Sequence, residues 1–289
     1  MQQTLFNIAG HAFSIKAEAD ITELLTNLKP FVTENATDFL FEITIDNTVA
    51  PQWRGEKIGT FPCPSATFEV YREAEGAYCI LVSDESDIPC AFIQSDAERK
   101  NFTIATRGDR NNVEFGINNS LMIIYTLCSA QHRTLLVHSS VVENCGRAYM
   151  FLGASGRGKS THSDLWTKHI DGSTLINDDN PIIRIAPDGT PIIYGSPWSG
   201  KRPIYKNVHY PIGGIAAIEQ HQENSIRRES IPVAFGIMLS SCSTFKFDKK
   251  IHMDICSTIA NILESIPVHT LSCRPDEEAA RVSSQAFGL

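Results

Sequence analysis

The middle of the chain contains the segment Gly153-Ala154-Ser155-Gly156-Arg157-Gly158-Lys159-Ser160. This segment fits the pattern GxxxxGK[ST], and it directly follows an apolar, β-type run that ends in Phe151-Leu152. In a chain of this length, average composition produces the pattern by chance only about once in a hundred sequences. The sequence therefore predicts a phosphate-binding loop between a buried strand and a helix.

Glycine is needed in such a loop because backbone N–H groups must approach phosphate oxygens closely and some positions have positive φ. The expected helix starts at Lys159, and its unpaired N–H groups and dipole favour an anion. Lys159 then supplies a cation for the β and γ phosphates, while the Ser160 hydroxyl is suited to Mg²⁺. The predicted nucleotide-binding residues are Gly153, Ala154, Ser155, Gly156, Arg157, Gly158, Lys159, Ser160 and Thr161.

A pair of acidic residues follows the loop at a suitable distance. The β-type run 173–177 ends in Asp178-Asp179-Asn180-Pro181, and the intervening length accommodates a helix, a turn and a returning strand. Carboxylates at the C-terminal end of a strand beside a phosphate loop are suited to magnesium binding and proton transfer. Because neighbouring strand residues point to opposite sides, we expect Asp178 and Asp179 to have different tasks.

Apolar periodicity predicts two domains on either side of residue 130. Residues 1–130 show short strand-like runs and one helix capped by Asp20, which is typical of an α+β domain. The predicted runs are 39–45, 67–71, 78–82, 91–93 and 102–106. Residues 131–289 alternate strands and helices, which favours an α/β nucleotide-binding domain. In this part we predict strands at 135–142, 148–152, 212–218 and 268–273, and helices at 248–266 and 275–287.

Composition excludes several classes of function. The chain has 289 residues, 42% of them hydrophobic, and a net charge of −8 without a basic block, so a nucleic-acid partner is not expected. The longest apolar stretch, 121–130, has about half of the ~20 residues that a membrane span needs. Residues 1–10 lack the features of a secretory signal, which predicts a cytoplasmic protein without membrane contact. Eight cysteines without a CxxC pattern indicate reduced thiols.

These motifs resemble the HPr kinase/phosphorylase family and, more remotely, the nucleotide-binding half of phosphoenolpyruvate carboxykinases. The residues that carry the resemblance are Val-His-Ser-Ser-Val-Val at 137–142, the loop 153–160 and Asp178-Asp179. The segment 195–201 is similar to a pattern in uncharacterised HPr-kinase-like proteins. The resemblance spans about 134–270 and implies a P-loop kinase domain of this type, preceded by an α+β domain that helps to choose the substrate.

The resemblance also implies a reaction and a set of roles. It implies that Mg²⁺-bound ATP gives its γ-phosphoryl group to a serine-type hydroxyl of a protein, a peptide or a small molecule. Lys159 would bind the phosphates, and Ser160 and Asp179 would hold magnesium. Asp178 would be the base that accepts the hydroxyl proton, with His138 beside it to orient it or tune its charge. The family also carries a hint of a homo-oligomer.

Two departures limit what the resemblance implies. The stretch 192–198 has no acidic residue where HPr kinases have a glutamate, and the C-terminal signature linked to HPr docking is missing. HPr as the substrate is therefore not implied. This sequence also does not match the metal ligands and the oxaloacetate-binding residues of carboxykinases. Decarboxylation of oxaloacetate is therefore not expected.

The loop 195–202 has small residues around Trp198 and ends in Lys201-Arg202. Such a loop is suited to closing over the transferred phosphate, with Lys201 or Arg202 neutralising charge on it. Substitution of both basic residues is expected to reduce turnover more than nucleotide affinity.

Each motif also has a purely structural interpretation. Residues 153–160 would then be a Gly-rich turn, 178–181 a polar turn, His138 a satisfied strand residue and 195–202 a surface turn. Two other functions stay open beside the kinase: a nucleotide-binding regulator without group transfer, and a P-loop ATPase.

Overall fold

The computed structural model describes residues 1–50, 52–53, 55–63, 65–73, 75–200 and 202–289. The chain forms two compact units, Met1–Ser129 and Ala130–Leu289, and each is built around a sheet of its own. The architecture is mixed α/β.

In the described part of the first unit, eight strands form one mixed sheet. The strands are β1 (Gln2–Ile8), β2 (His11–Ala17), β3 (Phe39–Ile45), β4 (Glu56–Pro62), β5 (Ala66–Arg72), β6 (Tyr78–Asp84), β7 (Pro89–Ser95) and β8 (Asn101–Thr106). Their order across the sheet is β1-β2-β3-β8-β7-β6-β5-β4. The pairs β2–β3 and β3–β8 are parallel, and the remaining neighbours are antiparallel.

Helix α2 (Arg110–Ser129) packs on β6, β7 and β8. It approaches β7 closely at Gly116, where a Cβ atom would lie 2.8 Å from the carbonyl oxygen of Cys90. The earlier helix is shorter than its apolar spacing predicts. Asp20 does cap it, but α1 (Ile21–Leu24) ends after one turn and a 3₁₀ segment (Thr26–Phe31) follows. Pro30 lies inside this 3₁₀ segment, where its ring and its missing N–H group prevent an α-helical bond back to Thr26, but α1 has already ended before that point.

In the described part of the second unit, nine strands form one sheet, and the unit also has four α-helices. The strands are β9 (Thr134–Leu136), β10 (Ser139–Asn144), β11 (Arg147–Leu152), β12 (Thr174–Asn177), β13 (Ile182–Ile185), β14 (Pro191–Tyr194), β15 (His209–Gln220), β16 (Ser225–Arg228) and β17 (Val268–Cys273). The helices are α3 (Lys159–His169), α4 (Ile231–Ser241), α5 (Lys249–Leu263) and α6 (Glu277–Ala286).

Strand β15 joins the two parts of this sheet. Its residues 209–211 pair with β14, which leads through the β13–β14 hairpin to β9. From Ile212 onward β15 runs parallel to β11 on one side and, further along, to β17 on the other, and β17 also pairs with β16. Strands β10 and β12 complete the other edge.

The connection from β11 through α3 to β12 brings the predicted motifs to one edge of the sheet. Strand β10 lies between β11 and β12 and is antiparallel to both. The C-terminal ends of β11 and β12 therefore meet the N-terminal end of β10. The loop after β11, the residues before β10 and the acidic pair after β12 lie together for this reason.

The predicted strand 135–142 is two strands in the structure. The Val137 N–H still donates to the Pro181 carbonyl (3.1 Å), which continues the β9–β13 register, but the His138 N–H donates to the Ser241 carbonyl at the end of α4 (2.7 Å). The interruption places His138 at the start of β10 rather than within a continuous ladder.

The core beneath the loop is aromatic. Trp166 of α3 is fully buried, with its ring centre 4.8 Å from that of Tyr149 and 5.5 Å from that of Phe151. Its indole N–H donates to Ser283 Oγ of α6 (2.9 Å). Burial of a side chain of this size contributes about 2–3 kcal/mol and fixes α3 on the sheet.

Within the ranges given above, the structure has no helix whose length and apolar character would allow it to cross a membrane.

Candidate active site

The predicted phosphate loop connects β11 to α3 with the backbone that such a loop requires. Gly153, Gly156 and Gly158 have φ angles of 148°, 78° and 100°, a region that residues with a Cβ rarely adopt. Gly158 is also the N-cap of α3 and has no side chain to bind the first N–H groups. Solvent reaches several of the loop residues, namely Ala154, Ser155, Gly156 and Arg157, and also Thr161 on α3. The loop is therefore open to an anion from solution.

Lys159 is folded back onto the loop. Only 8% of the residue is exposed, and its Nζ donates to the carbonyl oxygens of Gly153 (2.8 Å) and Ala154 (3.3 Å). Burial lowers the pKa of the Lys159 amine, and the charges of Asp179 and Asp178 offset part of that effect. An incoming phosphate would supply the countercharge that the buried ammonium group requires.

A chain of contacts runs from Lys159 to Asp179. Lys159 Nζ lies 3.0 Å from His138 Nε2, and His138 Nδ1 lies 2.9 Å from Asp179 Oδ1. An ammonium group only donates, so Nε2 accepts and Nδ1 carries the proton that faces Asp179. Asp179 Oδ2 accepts from the side-chain amide of Asn180 (2.9 Å). The structure thus pairs His138 with Asp179, whereas the resemblance had implied a place beside Asp178.

Asp178 has a different set of partners. Its side chain is 5% exposed, against 32% for that of Asp179. The hydroxyl of Ser140 donates to Asp178 Oδ1 (2.6 Å), and Arg202 Nε donates to Oδ2 (2.6 Å). The two neighbouring carboxylates therefore face different surroundings, although both residues lie in the bend after β12 and not in a strand, so the alternation of strand side chains is not the reason.

Arg202 holds three parts of the site together. Besides Asp178, it contacts the carboxylate of Asp164 on α3, and its Nη2 donates to the carbonyl oxygen of Ser160 (3.3 Å). Burial works against the charge of Arg202, but the hydrogen bonds to Asp178 and Asp164 outweigh it and raise the pKa of the guanidinium group. Lys201, which the sequence analysis grouped with Arg202, lies outside the described residues.

The loop that carries Arg202 packs over the aspartates. Trp198 is buried, and its carbonyl oxygen accepts from the N–H of Asn180 (3.0 Å) and the side-chain amide of Asn177 (3.3 Å). A Cβ atom on Gly200 would lie 3.3 Å from the Cβ atom of Asp179. Trp198 is thus an anchor of this loop, and a side chain at position 200 would press against Asp179.

Sequence reasoning did not identify three residues of this site: Ser140, Ser163 and Asp164. Serine and exposed aspartate are common, and neither belongs to the motif patterns. A signal does exist in the spacing, because Ser140 follows His138 by two residues in the predicted strand 135–142 and Ser163 follows Lys159 by four in the predicted helix. Both spacings place side chains on one face.

The residues present fit a magnesium ion that arrives with a nucleotide. The described part of the chain contains no group of three His, Cys, Asp or Glu side chains that could hold a metal on their own. Mg²⁺ usually takes one or two carboxylates and completes its shell with phosphate oxygens and water. Ser160 at the start of α3 and Asp179 after β12 provide a hydroxyl and a carboxylate at the same sheet edge.

In comparisons with known proteins, the chain matches no family model and no curated protein.

Proposed function

We propose that the unit Ala130–Leu289 is a P-loop kinase of the HPr kinase/phosphoenolpyruvate carboxykinase type, which moves the γ-phosphoryl group of ATP to a serine-type hydroxyl. The observation that carries this proposal is the contact chain from Lys159 through His138 to Asp179, with Asp178 beside it. A loop lysine within reach of two aspartates supports phosphoryl transfer better than simple anion binding. The acceptor is a protein, a peptide or a small molecule.

In the proposed reaction, the acceptor oxygen attacks the γ phosphorus as the bond to the leaving ADP oxygen breaks. Asp178 accepts the hydroxyl proton. A carboxylate suffices as the base because this transition state depends more on positioning and charge neutralisation than on basicity. Lys159 and the loop N–H groups hold the phosphates, and Arg202 is close enough to Asp178 to neutralise charge on the transferred group.

Ser160 and Asp179 would hold magnesium together with the nucleotide. When bound, the ion neutralises phosphate charge. His138 then has a positioning role, because its Nδ1–H fixes one oxygen of Asp179.

A nucleotide-binding regulator is the second candidate, and one observation favours it. Arg202 Nε lies 2.6 Å from Asp178 Oδ2, so the carboxylate proposed as base already contacts a cation. In a regulator, bound phosphate would draw Arg202 away from Asp178 and thereby change the surface of the loop 195–202, without group transfer.

The experiment that tests the proposal is transfer of label from γ-labelled ATP with Mg²⁺ into a lysate separated into protein, peptide and metabolite fractions. We expect the unmodified protein to label one fraction. Lys159→Ala should lose ATP binding, whereas Asp178→Asn should keep it and lose transfer by roughly 10²-fold or more. Asp188→Asn is the matched control, since Asp188 lies in an exposed turn where it accepts from the Thr190 N–H.

The outcomes separate the three functions. Label in one fraction, lost with Asp178→Asn and kept with Asp188→Asn, supports the kinase and names its class of substrate. Steady release of free phosphate without an acceptor contradicts the kinase and indicates an ATPase. Tight binding of ATP with neither transfer nor release indicates the regulator.

A further inference from the structure

A second hydrogen-bonded chain crosses from α3 to Asp178. The hydroxyl oxygens of Ser163 and Ser140 lie 2.6 Å apart, and Ser140 Oγ lies 2.6 Å from Asp178 Oδ1. Both serines have 0% exposure, so water does not compete for these bonds. The chain therefore links the helix that follows the phosphate loop directly to the proposed base.

The chemistry of the three groups fixes the direction of this chain. An ionised carboxylate only accepts hydrogen bonds, and a serine hydroxyl has a single proton to donate. The proton of Ser140 therefore points to Asp178, and Ser163 must donate its own proton to Ser140. Each hydroxyl donates its proton to one acceptor, and these hydrogen bonds hold the Asp178 carboxylate in one orientation.

This orientation assigns separate tasks to the two oxygens of Asp178. Oδ1 is occupied by Ser140, whereas Oδ2 has the contact with Arg202. Arg202 also has Asp164 and the Ser160 carbonyl as partners, so it can leave Oδ2 without losing every bond. Oδ2 is the oxygen that can exchange its bond with Arg202 for a bond with an acceptor hydroxyl, while the carboxylate keeps its orientation.

We propose that Ser140 and Ser163 are positioning residues that hold Asp178 so that Oδ2 faces the acceptor hydroxyl. This inference rests on the proposed function. Ser163 lies one helical turn after Lys159, on the same face of α3, so the helix that binds the phosphates also sets the position of the base. Capture of a nucleotide and alignment of the base thus depend on the same helix.

The test compares Ser140→Ala and Ser163→Ala with Ser139→Ala in the full chain. Ser139 is a neighbouring, fully buried serine whose hydroxyl donates to the Val137 carbonyl (3.1 Å), so its variant loses a hydroxyl of equal size. Two quantities are measured for each protein: ATP affinity by calorimetry with Mg²⁺, and the rate of label transfer at saturating ATP into the fraction that the unmodified protein labels.

We expect ATP affinity to stay within about twofold in all three variants. The transfer rate should fall about 10- to 100-fold in Ser140→Ala, because a misplaced catalytic group costs rate rather than binding. In Ser163→Ala it should fall about 3- to 10-fold, and in Ser139→Ala it should not change. Alanine favours helices, so Ser163→Ala keeps the test valid even if Ser140→Ala does not fold.

Equal transfer rates in Ser163→Ala and the unmodified protein would overturn the assignment, as would a loss of ATP affinity as large as the loss of rate. Failure of the proposed function is seen separately, in the unmodified protein. If that protein binds ATP and transfers no label, the kinase proposal fails, and the positioning role fails with it.

Discussion

His162 shows how burial alone determines the charge of a side chain in this protein. It follows Lys159 by three residues on α3, is 2% exposed, and its ring packs edge-on against Phe151 with centres 4.5 Å apart. Nε2 lies 3.0 Å from Ser283 Oγ, and Nδ1 has no hydrogen-bond partner among the described residues. Burial lowers the pKa of His162 from 6.5 to about 3, so the ring is neutral in the folded protein.

This buried imidazole makes the protein sensitive to acid. The pKa of His162 is lower in the folded state than in the unfolded state, so between about pH 6.5 and pH 3 only the unfolded chain binds this proton. The stability that the neutral ring provides is complete above about pH 6.5 and is lost as the pH falls. We expect a contribution of up to about 1.4 kcal/mol per pH unit to the free energy of unfolding.

Urea unfolding between pH 7 and pH 4 measures this contribution. His162→Gln keeps a polar group near Ser283 but does not titrate, so its stability should fall less steeply with acid. His221→Gln changes an exposed histidine and should retain the slope of the unmodified protein. Equal slopes in all three proteins would contradict the assignment.

At the level of single residues, the sequence marked the phosphate loop and the acidic pair, but it did not indicate the hydrogen-bond partners of these side chains. Lys159, Asp178 and Asp179 stand out because residue type and spacing mark them. The pairing of His138 with Asp179, and of Ser140 with Asp178, depends on β12 lying beside β10. That neighbour relationship is set by the whole sheet and leaves no mark on a single residue.

Among the elements, glycines at two positions should respond to alanine in opposite directions. A Cβ atom on Gly195, which follows β14, would lie 2.0 Å from the carbonyl oxygen of Lys206. Gly236 lies within α4, and a Cβ atom there would meet nothing within 4 Å. We expect Gly195→Ala to lower the free energy of unfolding by about 1–3 kcal/mol, and Gly236→Ala to raise it by about 0.5–1 kcal/mol.

Chemical denaturation of the two variants checks this prediction, with the unmodified protein as reference. Stabilisation by Gly195→Ala, or clear destabilisation by Gly236→Ala, would show that the local packing differs from the description above.

Helices and strands could be predicted where the sequence contains residues that typically mark their ends. The helices predicted at 248–266 and 275–287 are present as α5 and α6, each beginning directly after an aspartate N-cap, Asp248 and Asp276, and β17 has the predicted bounds. Helix α4 was not predicted, because its apolar residues are nearly continuous and show no helical period. The β1–β2 hairpin was missed because its turn contains Ala9 at positive φ instead of a typical Asn-Gly pair.

Over the whole molecule, the eight thiols differ widely in their exposure to solvent. No disulfide bond links the eight cysteines, all of which lie among the described residues, and two of them, Cys63 and Cys145, are exposed. Burial raises the pKa of Cys128 and of Cys242 to about 12 and that of Cys273 to about 11. These three side chains therefore stay protonated and unreactive at neutral pH.

We expect a thiol reagent to modify Cys63 and Cys145 quickly in the native protein, the partly exposed Cys256 more slowly, and the other five only after unfolding. Cys145 should react before Cys63, because burial raises the pKa of the Cys63 thiol. Mass spectrometry after timed alkylation measures both rates. Cys145→Ser should remove the faster phase and Cys63→Ser the slower one. Rapid modification of a third site would contradict the burial described here.

The class of each part of the chain could be predicted, but the arrangement of its sheet could not. Alternating patterns indicate strands, yet nothing in the sequence says that β15 changes partners at Ile212 or that β10 separates β11 from β12. Such pairings are long-range choices among strands of similar composition. These strand pairings also decide which polar residues contact each other at the candidate site. The contacts within the site could therefore not be predicted from the sequence either.

The positions of the tryptophans make the intrinsic fluorescence of this protein useful as a probe. Of its three tryptophans, Trp166 lies on α3 and Trp198 in the loop over the aspartates, and both are buried. Trp53 belongs to the other unit and is 48% exposed. Buried indoles emit at shorter wavelengths than hydrated ones, so the two groups are spectrally distinct. With Trp53→Phe, the remaining tryptophan fluorescence comes from the core beneath the phosphate loop and from the loop over the aspartates, so it follows events in this part of the second unit in real time, without a dye or a label.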